Sequence, residues 1–246
     1  MQQYGLIGKS IQHSFSPSYF AQKFEREGIS NAQYDLFPLT QIEDFPALVA
    51  SKSNWGGLNV TIPYKEQIIP YLDELSAGAQ AVGAVNTIAF EEGRLVGHNT
   101  DVLGFRESLL TLLPPNYQLL KALVLGTGGA AKAVAYVLEQ LNISYSYVSR
   151  KKGLQRLLYT QITQEILKEY HIIINTSPVG QHPNIHEAPN LPYTELGKQH
   201  FLMDLIYNPA ETLFLKRGRT QGAAVLNGLP MLEGQAAAAW SIWTGR

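Results

Sequence analysis

Short apolar runs alternate with longer amphipathic segments along this 246-residue chain. The short runs predict strands, and segments whose apolar positions recur every three to four residues predict helices. In the first half, the predicted strands are residues 4–8, residues 33–36, a run that ends at Thr61, and a hairpin over residues 83–97. The predicted helices are residues 17–28, residues 41–50, a turn from Pro63, residues 73–80, and a segment that begins near Asp101.

Pro114-Pro115 interrupts this alternation and predicts a domain boundary. Beyond it, strands and helices alternate again, which indicates two α/β domains rather than one mixed sheet. The second set of predicted strands comprises an apolar run from Leu123, a run that ends at Ser149, a weakly patterned run at residues 159–162, and runs at 171–174, 201–205 and 223–226. Helices are predicted after the glycines at 126–129, at residues 210–221 and at residues 230–243.

The glycines that follow the Leu123 run fit the dinucleotide-binding pattern G-x-G-x-x-G/A, with Gly126, Gly128 and Ala131 at its fixed positions. In this pattern the first glycine permits a tight turn, and the second lets backbone N–H groups approach a pyrophosphate. The following helix then points its N-terminus at the anion. A glycine turn between strand and helix can also be purely structural, so this motif alone leaves both interpretations open.

The end of the next predicted strand reads Ser149-Arg150-Lys151-Lys152. In an NAD site an acidic residue near this place receives the ribose hydroxyl, yet no Asp or Glu occurs between Glu139 and Glu165. A guanidinium can instead hold a 2′-phosphate in bidentate fashion, with lysines adding positive charge. The turn therefore favours NADP over NAD, and the alternative is a solvated basic turn.

Four polar residues of the first half are candidates for chemistry. Ser14 and Ser16 lie in a predicted strand-to-helix loop, where hydroxyls can bind a small anion, although Ser16 can also serve as an N-cap before Pro17. Lys65 falls in the first turn of a predicted helix, whose dipole disfavours a cation; it is either solvated or kept there for chemistry. Asp101 begins a helix and can be a cap.

The composition of the chain limits which partners and which cellular compartment we expect. Hydrophobic residues make up 45% of the chain, charged residues 16%, and the net charge is −1, so nothing indicates a nucleic acid or an anionic membrane as a partner. The absence of cysteine fits a reducing compartment. With no apparent signal peptide and no apolar run long enough for a membrane span, we expect a cytoplasmic protein. His182 and His186 are separated by Pro183 and Asn184, so we predict no metal site.

Taken in order, the polar clusters resemble those of the shikimate dehydrogenase family, and the resemblance runs from Gly5 to Gln235. A series of ordered motifs is far more specific than one glycine loop. The motifs are H-S-F-S-P at 13–17, N-V-T-I-P-Y-K at 59–65, G-A-V-N-T at 83–87, N-T-D at 99–101, G-T-G-G-A at 126–130, D-L-I-Y-N-P at 204–209, and Gln235.

The resemblance implies an N-terminal substrate domain (residues 1–113 with a returning C-terminal helix, residues 230–246) and a Rossmann-type NADP domain (residues 114–229). It also implies a monomer or homodimer that reversibly reduces 3-dehydroshikimate to shikimate on the route to aromatic amino acids. Lys65 and Asp101 would be the catalytic pair. The other substrate-binding residues would be Ser14, Ser16, Asn59, Thr61, Asn86, Tyr207 and Gln235. The cofactor-binding residues would be Gly126, Thr127, Gly128, Gly129, Ala130, Ser149, Arg150, Lys151, Ser177, Leu205 and Gly228.

The chain also departs from the family pattern at several positions: Ser10, His98, Ser149-Arg150-Lys151, Ser177 and a shortened segment at residues 153–170. None of these changes touches Lys65 or Asp101. Two alternatives remain: a quinate/shikimate dehydrogenase with a broader substrate range or NAD use, and a catalytically silent NADP-binding protein on the same fold.

Overall fold

The computed structural model describes residues 1–153 and 156–245, and the chain forms two compact units. We call Met1–Leu103 with Glu233–Arg246 the N-terminal unit, and Gly104–Leu232 the central unit. Both limits fall inside helices. The domain limits expected from the sequence stay a prediction, and Arg246, which they include, lies outside the described residues.

The α/β class is confirmed, with a separate sheet in each unit. The strands are β1 (Gln2–Gly8), β2 (Ala32–Pro38), β3 (Trp55–Val60), β4 (Glu74–Leu75), β5 (Thr87–Glu91), β6 (Arg94–His98), β7 (Lys121–Leu125), β8 (Ser144–Ser149), β9 (Arg156–Leu158), β10 (Tyr170–Asn175), β11 (Phe201–Asp204) and β12 (Ala224–Leu226). The α-helices are α1 (Ser16–Glu27), α2 (Phe45–Ala50), α3 (Tyr64–Gln67), α4 (Ala77–Val82), α5 (Thr100–Leu112), α6 (Gly129–Gln140), α7 (Gln164–Glu169), α8 (Leu213–Thr220) and α9 (Leu229–Thr244).

The sheet of the N-terminal unit has the order β2-β1-β3-β5-β6-β4. The first three strands are parallel, whereas β5 is antiparallel to both β3 and β6. In this register Asn59 pairs with Thr87, and Thr87 pairs with His98. The carboxyl ends of β1, β3 and β6 and the start of β5 therefore meet at one edge of the sheet.

An aromatic cluster attaches the C-terminal helix α9 to the N-terminal unit. Trp240 and Trp243 each lie 5.1 Å, between ring centroids, from the buried Tyr4 of β1. Trp243 also donates a hydrogen bond from Nε1 to the Ile88 carbonyl at 3.0 Å. Gly57 leaves room for that indole, because a Cβ at this position would collide with it. Apolar burial and one hydrogen bond thus fix α9 against the sheet of the N-terminal unit, as the family resemblance implied.

The central unit contains a parallel sheet of order β12-β11-β10-β7-β8-β9. The chain starts at β7, extends to one side through β8 and β9, and then returns to the other side through β10. The carboxyl ends of β7 and β10 therefore border the point where the strand order reverses, which is where open α/β sheets bind ligands. Apolar side chains such as Leu123, Ile173 and Phe214 fill the core of this unit.

Three local predictions are wrong. Residues 73–80 do not form one helix, because Glu74 and Leu75 pair with β6 and Ser76 then caps the shorter α4 through Ala79 N. Ser16 is not an N-cap, since Phe15 already has helical dihedral angles and precedes the helix without a side-chain cap. The predicted strand at 159–162 lies earlier, at β9, and a 3₁₀ turn that follows it is closed by the Gln161 side chain on Leu158 N.

The segment expected to be shortened connects β8 to β10. Its described residues at 150–153 form no helix, and α7 spans six residues before β10 begins. Leu154 and Gln155, which also belong to this segment, lie outside the described residues.

The predicted helix at 41–50 is a 3₁₀ turn at Ile42–Asp44 followed by α2, which carries Pro46 in its first turn.

A buried carboxylate joins three elements at the carboxyl edge of the central sheet. Asp204 accepts hydrogen bonds from Asn175 Nδ2 at 3.0 Å, Ile206 N at 3.1 Å and Thr212 Oγ1 at 2.6 Å. Its side chain is fully buried, and burial raises the pKa of Asp204 to about 6 despite these three donors. The loop after β11 is thereby held to the end of β10 and to the start of α8.

This raised pKa predicts a pH-dependent stability. The folded state binds the Asp204 proton more tightly than the unfolded chain, where an Asp titrates near about 4. The stability that this group contributes is therefore complete below pH ~4 and is lost as pH rises through about 6. Asp204→Asn should remove this dependence, so the variant should gain about 2–3 kcal/mol relative to the unmodified protein between pH ~4 and ~7. Urea unfolding across this range measures the difference, and a pH-independent difference would contradict the assignment.

Candidate active site

Lys65 and Asp101 form a salt bridge in the N-terminal unit, with Nζ 2.7 Å from Oδ2. The two side chains are 29% and 18% exposed, so the pair is neither buried nor freely solvated. The Lys65 carbonyl accepts a hydrogen bond from Val85 N at 2.7 Å, which ties α3 to the segment before β5. A water-accessible ammonium held by one carboxylate can donate a proton to a bound ligand.

The helices that carry Lys65 and Asp101 differ from those predicted from the sequence. Helix α3 has four residues, so it has little dipole to oppose the Lys65 charge, and the carboxylate of Asp101 is the partner that matters. Asp101 is not the cap of α5, because Asn99 Oδ1 accepts from Val102 N at 3.4 Å. Asn99 also donates to the Ala84 carbonyl at 2.9 Å, which fixes the start of α5 and leaves Asp101 available to Lys65.

A network of hydrogen-bonded side chains surrounds the start of β5. Asn86 Oδ1 accepts from Thr100 N at 2.7 Å, and Asn86 Nδ2 donates to Gln235 Oε1 at 3.0 Å. Asn59 Nδ2 donates to Thr87 Oγ1 at 3.1 Å and to the Asn86 carbonyl at 3.2 Å. Three of the predicted substrate-binding residues, Asn59, Asn86 and Gln235, are therefore brought together from strands and a helix far apart in the chain.

Ser14, Ser16 and Thr61 lie at the same edge of the sheet and are half-buried. Ser14 follows β1 in a turn whose backbone N–H bonds to the Ile11 carbonyl at 3.0 Å. Thr61 follows β3, and its N–H bonds to the Ile7 carbonyl at 2.9 Å. Ser16 lies within hydrogen-bonding reach of the Tyr34 hydroxyl, and Tyr34 is not among the residues predicted from the sequence.

His98, a departure from the family pattern, precedes Asn99 at the end of β6. Its Nε2 atom is buried without a hydrogen-bond partner and lies 3.9 Å from Glu91 Oε1. Burial lowers the pKa of His98, so the imidazole is neutral at neutral pH. His98 therefore adds no positive charge at the end of β6.

The glycine loop of the central unit has the form that a bound diphosphate requires. Gly126 adopts a φ of +120°, which L-residues with side chains rarely adopt, and a Cβ there would press against Thr176 Oγ1. Apart from their chain neighbours and the nearby α6 backbone, no atom of the described residues lies within 4 Å of the places where Gly128 and Gly129 would carry a Cβ. Gly128 precedes α6, and no side chain caps this helix. Thr127 and Ala130 are exposed beside these open glycines, so backbone N–H groups face solvent where an anion can approach.

A basic turn follows β8 at the same edge of the central sheet. Arg150, Lys151 and Lys152 are exposed, and Ser149 Oγ accepts from Lys151 N at 3.1 Å, which shapes the turn. Within residues 1–153 and 156–245, no carboxylate forms an ion pair with these three cations. The glycine loop and the basic turn together fit a dinucleotide that carries an additional phosphate.

The remaining predicted residues of the central unit follow β10, β11 and β12. Ser177 donates from N and from Oγ to Asn175 Oδ1, at 3.1 and 2.7 Å. Gly228 packs so closely on the Leu205 carbonyl that a Cβ would collide with it. Tyr207 is 41% exposed in the loop after β11. The carboxyl edge of this sheet thus carries every predicted cofactor-binding residue, and it carries Tyr207 as well.

No helix of the described chain is long and apolar enough to cross a membrane. Among the residues at 1–153 and 156–245, no three His, Cys, Asp or Glu side chains are grouped as a metal site would need.

Comparison with known proteins supplies relatives along the whole chain. Residues 6–88 match the family model described as the shikimate dehydrogenase substrate binding domain. A shikimate dehydrogenase (NADP(+)) from Carboxydothermus hydrogenoformans is 38% identical over 98% of this chain and 91% of its own length. The enzyme of the same name from Caldanaerobacter subterraneus is 40% identical, again over 98% of this chain and 91% of its length.

Solved structures agree with these relatives. Shikimate 5-dehydrogenase from Thermus thermophilus, in complex with NADP(H) and shikimate, is 32% identical, with a TM-score of 0.86 over 100% of this chain and 94% of its own. A quinate dehydrogenase from Corynebacterium glutamicum, in complex with NAD, is 27% identical, with a TM-score of 0.87 over 100% of this chain and 94% of its own. Identity above 30% along nearly the full length shows that the chain belongs to the shikimate dehydrogenase family.

Proposed function

We propose that this protein is an NADP-dependent shikimate dehydrogenase, which reversibly reduces 3-dehydroshikimate to shikimate in the biosynthesis of aromatic amino acids. The observation that carries the proposal is the Lys65–Asp101 contact of 2.7 Å, because it supplies a proton donor among uncharged polar groups. The relatives' names and the open glycine loop support the same activity.

In this proposal, a side chain of the protein transfers the proton. Lys65, in its ammonium form, donates a proton to the carbonyl oxygen of 3-dehydroshikimate and takes it back when shikimate is oxidised. Asp101 orients the lysine through their contact of 2.7 Å. NADPH, when bound, supplies the hydride.

Substrate recognition relies mainly on uncharged hydrogen-bonding groups, with Asp101 as the charged member of the set. Ser14 and Ser16 bind the carboxylate in this proposal, and the ring hydroxyls and neighbouring groups are held by Asn59, Thr61, Asn86, Asp101, Tyr207 and Gln235. A polyhydroxylated ring needs many directional contacts, because each mismatched donor or acceptor leaves a polar group unsatisfied. The hydrogen-bonded network around Asn86 keeps these groups in fixed orientations before the substrate arrives.

The central unit holds the cofactor. Backbone N–H groups at Thr127, Gly128, Gly129 and Ala130 would bind the pyrophosphate at the start of α6. Gly126, whose own N–H donates to the Val148 carbonyl at 2.9 Å, would border the pyrophosphate by forming the tight turn. Arg150 and Lys151, with Ser149, would bind the 2′-phosphate, while Ser177, Leu205 and Gly228 would border the nicotinamide portion.

A quinate/shikimate dehydrogenase that uses NAD is the second candidate, favoured by the similarity to the quinate dehydrogenase from Corynebacterium glutamicum. The basic turn and the missing acidic residue after β8 argue against NAD. The Lys65–Asp101 contact argues against a catalytically silent protein. We further propose a cytoplasmic monomer or homodimer without a nucleic-acid partner, consistent with a net charge of −1 and no cysteine.

Initial rates with shikimate and quinate, each combined with NADP and NAD, test the function and its cofactor together. We expect the highest kcat/KM for shikimate with NADP. Arg150→Ala should raise the KM for NADP about 10- to 100-fold, since a charge-assisted contact is lost, and leave the KM for NAD almost unchanged. Arg106→Ala, at an exposed arginine of α5, is the matched control. Equal kcat/KM for NADP and NAD in the unmodified protein would reject the cofactor assignment.

Replacement of the catalytic pair tests the chemistry. Lys65→Ala should lower kcat for shikimate oxidation by about 10²–10⁴, the usual contribution of general acid/base catalysis, with little change in the KM for NADP. Asp101→Asn should lower kcat and also weaken shikimate binding, because the carboxylate both orients Lys65 and accepts from the substrate.

The controls use residues of the same unit. Lys52→Ala, at an exposed lysine, should leave kcat unchanged. If Lys65 and Asp101 act together, the double variant should lose less than the sum of the two single free-energy losses. A Lys65→Ala protein within a few-fold of the original kcat, under conditions where chemistry limits the rate, would remove the lysine from the mechanism.

A further inference from the structure

Tyr34 occupies a fixed position between two predicted substrate-binding residues. Its hydroxyl lies 2.8 Å from Asn59 Oδ1, and the Ser16 side chain lies within hydrogen-bonding reach of the same hydroxyl. Its ring stacks on Phe20, with centroids 4.4 Å apart and an interplanar angle of 15°. The ring packing therefore holds the hydroxyl in place.

The direction of each hydrogen bond follows from what the atoms can do. The Asn86 carbonyl only accepts, so the Asn59 atom 3.2 Å from it must be the amide nitrogen. The Asn59 oxygen then faces Tyr34, and because this oxygen only accepts, Tyr34 must donate. Burial raises the pKa of Tyr34 far above its usual range, so the donor keeps its proton at every working pH.

These hydrogen bonds determine whether Asn59 can donate to a ligand or accept from it. Its nitrogen already donates to the Asn86 carbonyl and to Thr87 Oγ1. Its oxygen accepts one hydrogen bond from Tyr34 and has a second lone pair. Toward a ligand, Asn59 can therefore only accept. Asn86 differs, because its oxygen is occupied by Thr100 N while its nitrogen, bonded to Gln235, retains one N–H.

We propose that Tyr34 is a positioning residue that fixes Asn59 as a hydrogen-bond acceptor, so that the substrate must present a hydroxyl group to it. This inference rests on the proposed function and adds a rule of specificity to it. The reacting carbon of the substrate alternates between carbonyl and hydroxyl, and a carbonyl cannot donate. Asn59 therefore contacts a hydroxyl that the reaction leaves unchanged, while donors such as Lys65 and Asn86 serve oxygens that must accept.

Tyr34→Phe tests the inference, because it removes the hydroxyl and keeps the ring stacked on Phe20. Asn59 then loses its fixed donor and its amide can rotate. We expect the KM for shikimate to rise about 5- to 20-fold, the loss expected for one hydrogen bond, with kcat and the KM for NADP changed less than about threefold. Tyr4→Phe is the matched control. Tyr4 pairs with Tyr34 in the β1–β2 register, and its hydroxyl bonds to Gln2 at 2.9 Å outside this network.

The effect must also pass through Asn59. In an Asn59→Ala background, Tyr34→Phe should raise the KM for shikimate by less than about twofold. Shikimate analogues that each lack one hydroxyl provide a second comparison. The analogue that lacks the hydroxyl contacted by Asn59 should have the same KM with Tyr34→Phe as with the unmodified protein. An unchanged KM in Tyr34→Phe, an equal rise in Tyr4→Phe, or a full effect in the Asn59→Ala background would overturn the proposal.

A second readout separates this inference from the proposed function. The side-chain amide protons of Asn59, observed by NMR in the ligand-free protein, should exchange with solvent faster in Tyr34→Phe than in the unmodified protein or in Tyr4→Phe. Unmodified protein that fails to oxidise shikimate would reject the proposed function, and the exchange rates would still decide whether Tyr34 orders Asn59. Equal exchange rates in all three proteins would reject the ordering.

Discussion

The antiparallel register of β3, β5 and β6 determines where the polar groups of the N-terminal unit lie. Because Asn59 pairs with Thr87 and Thr87 with His98, the end of β3, the start of β5 and the end of β6 share one edge. Since side chains alternate across a strand, a shift of one residue would turn Asn59 to the other face of the sheet. The Lys65–Asp101 contact depends on the same register, since Asp101 lies in the first turn of α5, shortly after β6, and the Lys65 carbonyl accepts from Val85 N just before β5.

Burial at this edge makes the hydrogen-bond network directional. Asn86, Thr87 and Thr100 are almost fully buried, so each of their polar atoms needs a partner. Hydrogen bonds within the protein satisfy most of these atoms, so only a few donors and acceptors remain for a ligand. Specificity for a polyhydroxylated ring thus follows from the same requirement that stabilises the fold, because a ligand of the wrong polarity would leave a buried group unpaired.

Turns of the chain could be predicted from the sequence, because the residues that favour them are adjacent in the chain. The hairpin over residues 83–97 and the glycine loop at 126–129 were predicted from local sequence, and Gly93 and Gly126, which turn the chain there, both have positive φ. Tyr34 was missed, since its role depends on the pairing of β1 with β2 and on the distant Asn59, which no local pattern reveals. The expected effect of the helix dipole on Lys65 is small because α3 has only four residues, and the sequence pattern after Pro63 does not reveal where this helix ends. Strand β4 was missed because two residues carry no periodicity.

Charge is distributed differently in the two units, and the difference follows from the ligands they are proposed to bind. A 2′-phosphate carries concentrated charge that solvent-exposed cations such as Arg150 can bind without a buried partner. Near Lys65, an additional guanidinium would compete for Asp101, the carboxylate that Lys65 contacts at 2.7 Å. In the proposed function, the hydroxyls of Ser14 and Ser16 bind the substrate carboxylate without adding such a competitor. Asp101 then continues to orient the Lys65 ammonium within the half-buried ion pair.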